Sequence, residues 1–458
     1  MNEFSVDGQH VVVVGAARSG VAAAELLVSR GARVTLTDTR EAIDEADRLR
    51  RAGVSLELGS HSDDVLASAQ LVVLSPGVPS DLRGLDALRR RGVPVIGEVE
   101  LAWRWLKGRV IAISGTKGKS TTTTLTGQML QAAGLPVVVG GNIGSALSAQ
   151  VDASTPETLH VVEVSSFQLE TADTFHPWIA VLMNFSADHL DRHGTLDAYG
   201  AAKARMFAHQ TVDDWAVVNA DDAGASALAT GSRGRRFDFS RSAQIADGIV
   251  VDGGSVVRVR DGQRDPLLPL SSIRLLGPHL VDDVLAAAAV ASLVGIETDV
   301  MRKTVEAFHG LEHALEPAGE AGGVRFVNDS KATNIEAASR AFESFESGVV
   351  AIVGGRFKGG DFRDLRDAAG TRVSAVVAIG EARDLVREAF ADRIPVHDAE
   401  TMRDAVRAAF TAAAPGGVVL LAPACASFDM FKDYAERGRA FKEEVRRLGE
   451  EWRTQREQ

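Results

Sequence analysis

The chain has 458 residues, a length that predicts about three domains of roughly 100–200 residues each. Hydrophobic residues make up 45% and charged residues 24%, the balance of a soluble globular protein, and no stretch approaches the roughly 18 uninterrupted apolar residues of a membrane span. The net charge of −12 (50 basic against 62 acidic residues) argues against bulk nucleic-acid binding, so anionic substrates need local basic groups to hold them.

The first residues, MNEFSVDGQHVVVVG, have neither a basic start nor a long apolar core, so no signal peptide is expected. Apolar runs then alternate with helical patterns, the mark of α/β layering with parallel sheets. HVVVVG (10–15) reads as a buried strand. Residues 19–30 read as a helix with Val21, Ala24, Leu27 and Val28 on one side. RVTLTD (33–38) and LVVLSPG (71–77) are the next strands, completing a mononucleotide-binding half-fold that ends near VPVIGEVE (93–100).

A second series starts at RVIAISG (109–115) and continues through VVEVSS (161–166), IAVLMNF (179–185) and WAVVNADD (215–222). Residues 236–270 differ. Short alternating runs are broken at Asp247-Gly248, Asp252-Gly253 and Asp261-Gly262, three hairpin signals that predict a small antiparallel excursion. An alanine-rich helix is expected over 282–294. A third α/β series carries VVAIVGG (349–355), VSAVVAIG (373–380) and GGVVLLAPA (416–424). The charged helix at 434–454 is expected to be solvated. Cys425 is the only cysteine, which excludes an intrachain disulfide and fits a reducing cytoplasm.

The strongest local signal is Gly115-Thr116-Lys117-Gly118-Lys119-Ser120-Thr121. The usual phosphate-loop pattern wants a glycine where Ile113 stands. Ile113 is instead expected to be the last buried residue of the strand feeding a shorter loop. Strand, glycine turn and helix N-terminus make a credible phosphate site. Lys119 supplies a point charge, Ser120 can bind Mg²⁺, and a polar helix cap is the bland alternative.

Glu163 sits among apolar residues in VVEVSS, where a carboxylate is costly unless paired or bound to metal. The cluster Asp188-His189-Leu190-Asp191-Arg192-His193 could hold metal, orient a substrate or form a polar loop. Lys203 falls on one helical face with Leu196, Tyr199, Met206 and Phe207. Such a lysine usually snorkels to water, whereas a buried one can lose its charge and react with CO₂.

Asn328-Asp329-Ser330-Lys331-Ala332-Thr333-Asn334 follows the short strand VRFV and could be an anion site or a helix cap. Lys358, in GGRFKGGDF, and Ser427, in APACASFDMF, each follow a strand; a solvated loop is the default for each, and their shared position suggests a common cleft. Gly15-Ala16-Ala17-Arg18-Ser19-Gly20 lacks the middle glycine of a dinucleotide fingerprint. Asp38-Thr39-Arg40 could hold a ribose, a uracil or a phosphate.

GTKGKST, GNIG (141–144), EVSSFQLE (163–170), NFSADHLDRHG (184–194), YGAAKARMF, VNADD, NDSKATN and APACASFDMF together resemble the Mur ligase family, in family order. NDSKATN with SSFQLE resembles its D-glutamate-adding branch. The resemblance implies three α/β domains: a UDP-binding Rossmann-like domain (1–97), a central P-loop ATP-binding domain with a mostly parallel sheet (98–310), and a Rossmann-like amino-acid-binding domain (311–458). It implies an ATP- and Mg²⁺-dependent amide ligation through an acyl phosphate in cytoplasmic peptidoglycan precursor synthesis. The expected partners are UDP-N-acetylmuramoyl-L-alanine, D-glutamate and ATP, with no nucleic acid and no membrane, and the protein is expected to be a monomer.

By the same resemblance, Ser120 and Glu163 hold one Mg²⁺, His189 and a carbamylated Lys203 position a second, and Lys119 binds the β- and γ-phosphates. Arg18, Ser19, Asp38, Thr39, Arg40, Ser75 and Gly77 hold UDP. Asn142, Ser165 and Gln168 line the path to the acceptor end. Thr333, Lys358, Ser427 and Tyr434, with His189, take D-glutamate, while Asp283, Asp329 and Lys331 join the P-loop at ATP. Two positions depart from the family pattern. Asp283 stands where asparagine is usual near adenine, and an ionised carboxylate cannot donate a hydrogen bond. Ala314 follows His313 where arginine is usual, which removes a positive charge near ATP. A ligase for another amino acid and a nucleotide-binding protein with a degenerate site are the alternatives.

Overall fold

The computed structural model describes residues 4–242, 244–274 and 279–457; the side chains of Asp191, His279 and residues 455–457 lie outside that description. The chain forms two compact units, one of residues 1–273 and 281–307, the other of residues 274–280 and 308–458.

The first unit opens with a five-stranded sheet of β1 (His10–Val14), β2 (Arg33–Asp38), β3 (Ser55–Leu58), β4 (Leu71–Leu74) and β5 (Val95–Gly97). The order is β3-β2-β1-β4-β5 and every pairing is parallel. All four valines of β1 are fully buried, as a strand covered on both faces requires. The helix Arg18–Ser29 turns Val21, Ala24 and Leu27 inward, as the spacing predicts.

The same unit continues with β6 (Arg109–Ser114), β7 (Val137–Gly141), β8 (Leu159–Glu163), β9 (Ile179–Leu182), β10 (Trp215–Val218) and β11 (Arg235–Arg236). Their order, β11-β10-β9-β6-β8-β7, is again all parallel. β6 runs one residue further than expected. Ser114, not Ile113, is its last buried residue, and its hydroxyl donates to Val164 O at 2.9 Å.

The excursion contains β12 (Asp238–Ser240), β13 (Gly248–Asp252), β14 (Ser255–Arg260) and β15 (Gln263–Pro269). Asp252↔Ser255 and Arg260↔Gln263 close two-residue hairpins, and both central residues of each turn have positive φ, the primed geometry that suits strand twist. Asp247-Gly248 is not a third hairpin. β12 and β13 pair in parallel, and Gly248 passes so close that a Cβ there would sit 1.8 Å from Asp238 O. Asp247 instead accepts the Asp261 amide at the neighbouring turn. The alanine-rich helix spans His279–Val294.

The second unit holds β16 (Glu316–Ala321), β17 (Val324–Asn328), β18 (Val349–Gly354), β19 (Val373–Ile379), β20 (Val396–Ala399) and β21 (Val418–Leu421), in the order β16-β17-β21-β18-β19-β20. Only β16 is antiparallel to its neighbour. The final helix, Tyr434–Glu457, is not simply solvated. Arg437, Phe441 and Val445, spaced at i and i+4, are buried, and the two apolar ones pack with Ala321, Val324 and Phe326. On its outer face Arg446 pairs with Glu443 and Glu450.

Candidate active site

At the carboxyl end of β6 the chain turns through the glycine loop into the helix Lys119–Ala132. Gly118 caps that helix at φ +80°, and a Cβ there would lie 2.2 Å from Asp283 Oδ1, so only glycine fits. Asn184 fixes the loop: its carbonyl accepts the Thr116 amide at 3.1 Å and its Oδ1 the Lys117 amide at 2.8 Å. Its Nδ2 returns a bond to Lys117 O, and Thr116 Oγ1 donates to Ser186 O. Asn184 was not among the expected site residues; a side chain that mimics backbone gives no periodic signal. Lys119 Nζ donates to Gly115 O and Thr116 O, both at 2.9 Å, folding over its own loop. Ser120 and Thr121 stand half-buried in the first helical turn.

Glu163 ends the adjacent β8 and is 1% exposed. Asn142 Nδ2 donates to its Oε1 at 2.7 Å, while Oε2 has no hydrogen-bond partner among the described residues. A buried carboxylate oxygen left in that state is costly, and a cation relieves it.

Lys203 departs from the snorkelling default. It is 1% exposed, its Nζ donates to Gly115 O at 2.8 Å and sits 4.7 Å from the centre of the Tyr199 ring. Burial, reinforced by the nearby charges of Lys119 and Lys117, pushes its pKa down from 10.5 to about 7. The amine therefore spends much of its time neutral beside the phosphate loop. Lys117 Nζ lies 3.5 Å from Asp188. His189 is half-exposed at φ +54°, its ring 4.8 Å from that of Phe167.

Other expected residues are engaged locally. Asp38 accepts the Ala16 amide at 2.6 Å and the Arg40 guanidinium through both oxygens at 2.9 and 3.0 Å. That bidentate pair holds its carboxyl well below the usual range. Asp38 thus braces the glycine turn, leaving Arg18 and Thr39 exposed and Ser19 partly so. Arg18 donates to Asn142 O at 3.2 Å, linking this turn to the Glu163 partner. Ser75 is buried and donates to Gly15 O, while Gly77 is exposed. Ser165 and Gln168 form a reciprocal capping box on the helix Ser166–Leu169.

Asp283 is 2% exposed; its Oδ1 accepts Thr122 Oγ1 at 3.2 Å and its Oδ2 has no partner among the described residues. Burial raises its pKa well above the usual carboxylate value. The shift favours the neutral acid, the form that carries one donor.

In the second unit, Asp329 is buried and its pKa is raised to about 7 by desolvation, although it accepts the Leu315 amide. Lys331 is exposed. Lys358 Nζ donates to Thr333 Oγ1 at 3.3 Å, bringing those two together. Ser427 is buried, not solvated, and Tyr434 is 41% exposed. Arg437, not anticipated, ties the segments together. Its guanidinium, 2% exposed, donates to Ser330 Oγ, Ser330 O and Cys425 O, and Ser330 Oγ donates to Tyr434 O.

A glycine loop with lysine and serine, set between a parallel strand and a helix, places the first unit in the class of P-loop nucleotide-binding α/β proteins. Family models match in three consecutive stretches: a Mur ligase MurD-like N-terminal domain over residues 9–97, the Mur ligase middle domain over 113–291, and the Mur ligase glutamate ligase domain over 315–425. The UDP-N-acetylmuramoylalanine–D-glutamate ligase of Acidobacterium capsulatum is 46% identical over 447 residues, covering 96% of this chain and 97% of that protein. The protein of the same name from Pelotomaculum thermopropionicum is 44% identical, covering 95% and 97%. Among solved structures, UDP-N-acetylmuramate-alanine ligase from Thermotoga maritima shares the fold, with a TM-score of 0.59 at 18% identity, covering 96% of this chain and 99% of that one. The chain belongs to the Mur ligase family, whose members are ATP-dependent, Mg²⁺-requiring amide-forming ligases of peptidoglycan synthesis. Among the described residues no helix is long and apolar enough to cross a membrane.

Proposed function

We propose that this protein joins D-glutamate to UDP-N-acetylmuramoyl-L-alanine at the expense of ATP, in the cytoplasm and as a monomer. Relatives of that activity match nearly end to end at 40–46% identity. The observation that carries the chemistry is the juxtaposition of Lys119 and Lys203 on the carbonyl of Gly115. The proposed domains are 1–97 for UDP, 98–310 for ATP and 311–458 for the amino acid.

The acceptor's terminal carboxylate attacks the γ-phosphorus of ATP, ADP leaves, and an acyl phosphate results. The amine of D-glutamate attacks the acyl carbon, the tetrahedral intermediate collapses, and phosphate departs with the amide formed. Both steps bring anions together, so positioning and charge neutralisation dominate. Lys119 exchanges its two carbonyl bonds for the β- and γ-phosphate oxygens. Backbone amides of residues 118–121 hold the chain of phosphates, those of Thr116 and Lys117 being taken by Asn184. The neutral Lys203 amine adds CO₂ and loses a proton, becoming a carbamate whose oxygens are hard-cation ligands. Ser120 and Glu163 would hold one Mg²⁺, and His189 with carbamylated Lys203 the second; bound there, the ions neutralise charge on the transferring phosphoryl group. Asn142 keeps Glu163 oriented. Asp283, Asp329 and Lys331 serve the nucleotide, with Ala314 costing a positive charge. Arg18, Ser19, Asp38, Thr39, Arg40, Ser75 and Gly77 serve UDP, Asn142, Ser165 and Gln168 the acceptor path, and His189, Thr333, Lys358, Ser427 and Tyr434 serve D-glutamate.

The test is phosphate release from ATP with UDP-N-acetylmuramoyl-L-alanine present. D-glutamate should stimulate it, and L-glutamate, meso-diaminopimelate and alanine should not. Release that ignores D-glutamate, or prefers another amino acid, overturns the assignment.

A further inference from the structure

Arg192 lies in DHLDRH, three residues past His189. Its NH2 donates to Val78 O at 2.8 Å and to Glu170 Oε2 at 2.9 Å. The guanidinium lies 5.1 Å from the centre of the Phe167 ring. Glu170 is held on its other side by His193 Nδ1 at 3.0 Å, and His193 Nε2 lies 3.0 Å from Ser166 Oγ. The arginine is thus locked in one rotamer by a carbonyl, a carboxylate and an aromatic face. Both bonds leave from one nitrogen. Nε and NH1 have no hydrogen-bond partner among the described residues, although the side chain is only 17% exposed. It lines a cavity with Ser75, Pro76, Glu98, Phe167 and Gln168. The cavity is small, about 10 Å³, room for one oxygen atom, and lies between Ser75 of the turn proposed for UDP and Gln168 of the helix cap proposed for the acceptor end.

A pinned guanidinium with two donor groups unspent beside a cavity can take an oxygen ligand. In a chain of net charge −12 it is also a local basic group of the kind that anionic substrates need. We propose that Arg192 binds the UDP-linked acceptor directly, its Nε and NH1 taking a carbonyl or carboxylate oxygen of the portion beyond the diphosphate. This rests on the ligase reading, and it makes Arg192 a specificity residue for what the UDP carries. UDP itself lacks that portion and should gain nothing from Arg192. Arg192→Gln loses the charge and the fork, and Arg192→Lys keeps the charge without the fork. Glu170→Gln breaks the ion pair but leaves the arginine in place.

Affinities for UDP-N-acetylmuramoyl-L-alanine and for UDP are measured by calorimetry without ATP, with thermal unfolding in parallel. The full substrate should bind at least tenfold more weakly to Arg192→Gln, with an intermediate loss for Arg192→Lys, less than threefold loss for Glu170→Gln, and UDP unchanged throughout. Equal losses for UDP and the full substrate would mean that Arg192 merely holds the Val78 turn, and equal losses in Glu170→Gln and Arg192→Gln would mean a structural strut; either overturns the proposal. Should Arg192→Gln not fold, Arg192→Lys with unchanged affinity does the same. Wild-type protein that neither binds the full substrate nor releases phosphate with D-glutamate sinks the ligase reading, whereas a binding wild type with an unaffected Arg192→Gln sinks this proposal alone.

Discussion

Lys203 offers the sharpest test of the proposed chemistry. An ordinary lysine of pKa 10.5 is roughly 0.03% neutral at pH 7, whereas one near 7 is about half neutral, a gain of about a thousandfold in the form that reacts with CO₂. The same displacement corresponds to about 5 kcal/mol against the charged ammonium, the expected scale for an amine 1% exposed beside Lys119 and Lys117. A free ammonium there would repel the cations that Glu163 and Ser120 are proposed to hold, and a carbamate attracts them. Lys203→Ala should therefore lower D-glutamate-dependent phosphate release by at least ~100-fold, a loss of the size typical for a group stabilising developing charge. Formate or acetate should restore part of it. Wild-type activity should fall when CO₂ is stripped from the buffer and return with bicarbonate. A fully active Lys203→Ala, or a wild type indifferent to bicarbonate while no carbamate carbon is seen by ¹³C NMR, would refute the reasoning.

Glu163→Gln keeps the acceptor for Asn142 but removes the charge, so phosphate release should drop by at least ~100-fold while thermal stability holds or rises; chelation of Mg²⁺ in the wild type should give the same loss, reversibly. Gly118→Ala forces a Cβ towards Asp283 Oδ1 at φ +80°, and should cost about 1–3 kcal/mol in denaturant unfolding and weaken ATP binding. The fully buried His160, between Ser154 and Gln150, has its pKa pushed from 6.5 down to about 4 by burial. The unfolded chain binds this proton between pH 6.5 and 4 and the folded one does not, so stability falls as pH falls through that window, by up to about 3 kcal/mol. His160→Gln should flatten that part of the stability profile; an unchanged slope would contradict the assignment.

Residue order alone was enough for the layered plan. Runs such as HVVVVG and RVIAISG can be satisfied only as strands buried on both faces, and Gly253-Gly254 and Asp261-Gly262 carry the positive φ that a tight hairpin demands. The glycine loop and Glu163 were legible for the same reason: their chemistry is local and conflicts with their apolar surroundings. What the sequence could not supply is which polar groups already satisfy one another. Asp38 is spent on Ala16 and Arg40, and Ser165 and Gln168 cap one helix, facts that depend on distances across turns. Asp247-Gly248 has the same composition as the true hairpin turns, but the approach of Asp238 turns it into a strand entry. Burial likewise is a tertiary quantity. It separates Lys203 from a snorkelling lysine, pushes Asp283 towards its neutral form, and draws Arg437 out of a helix whose charge pattern reads as solvated. The sequence by itself determined the elements and the residue types at their ends; only the packed fold decided which of those side chains lie dry, and desolvation is what sets their charge.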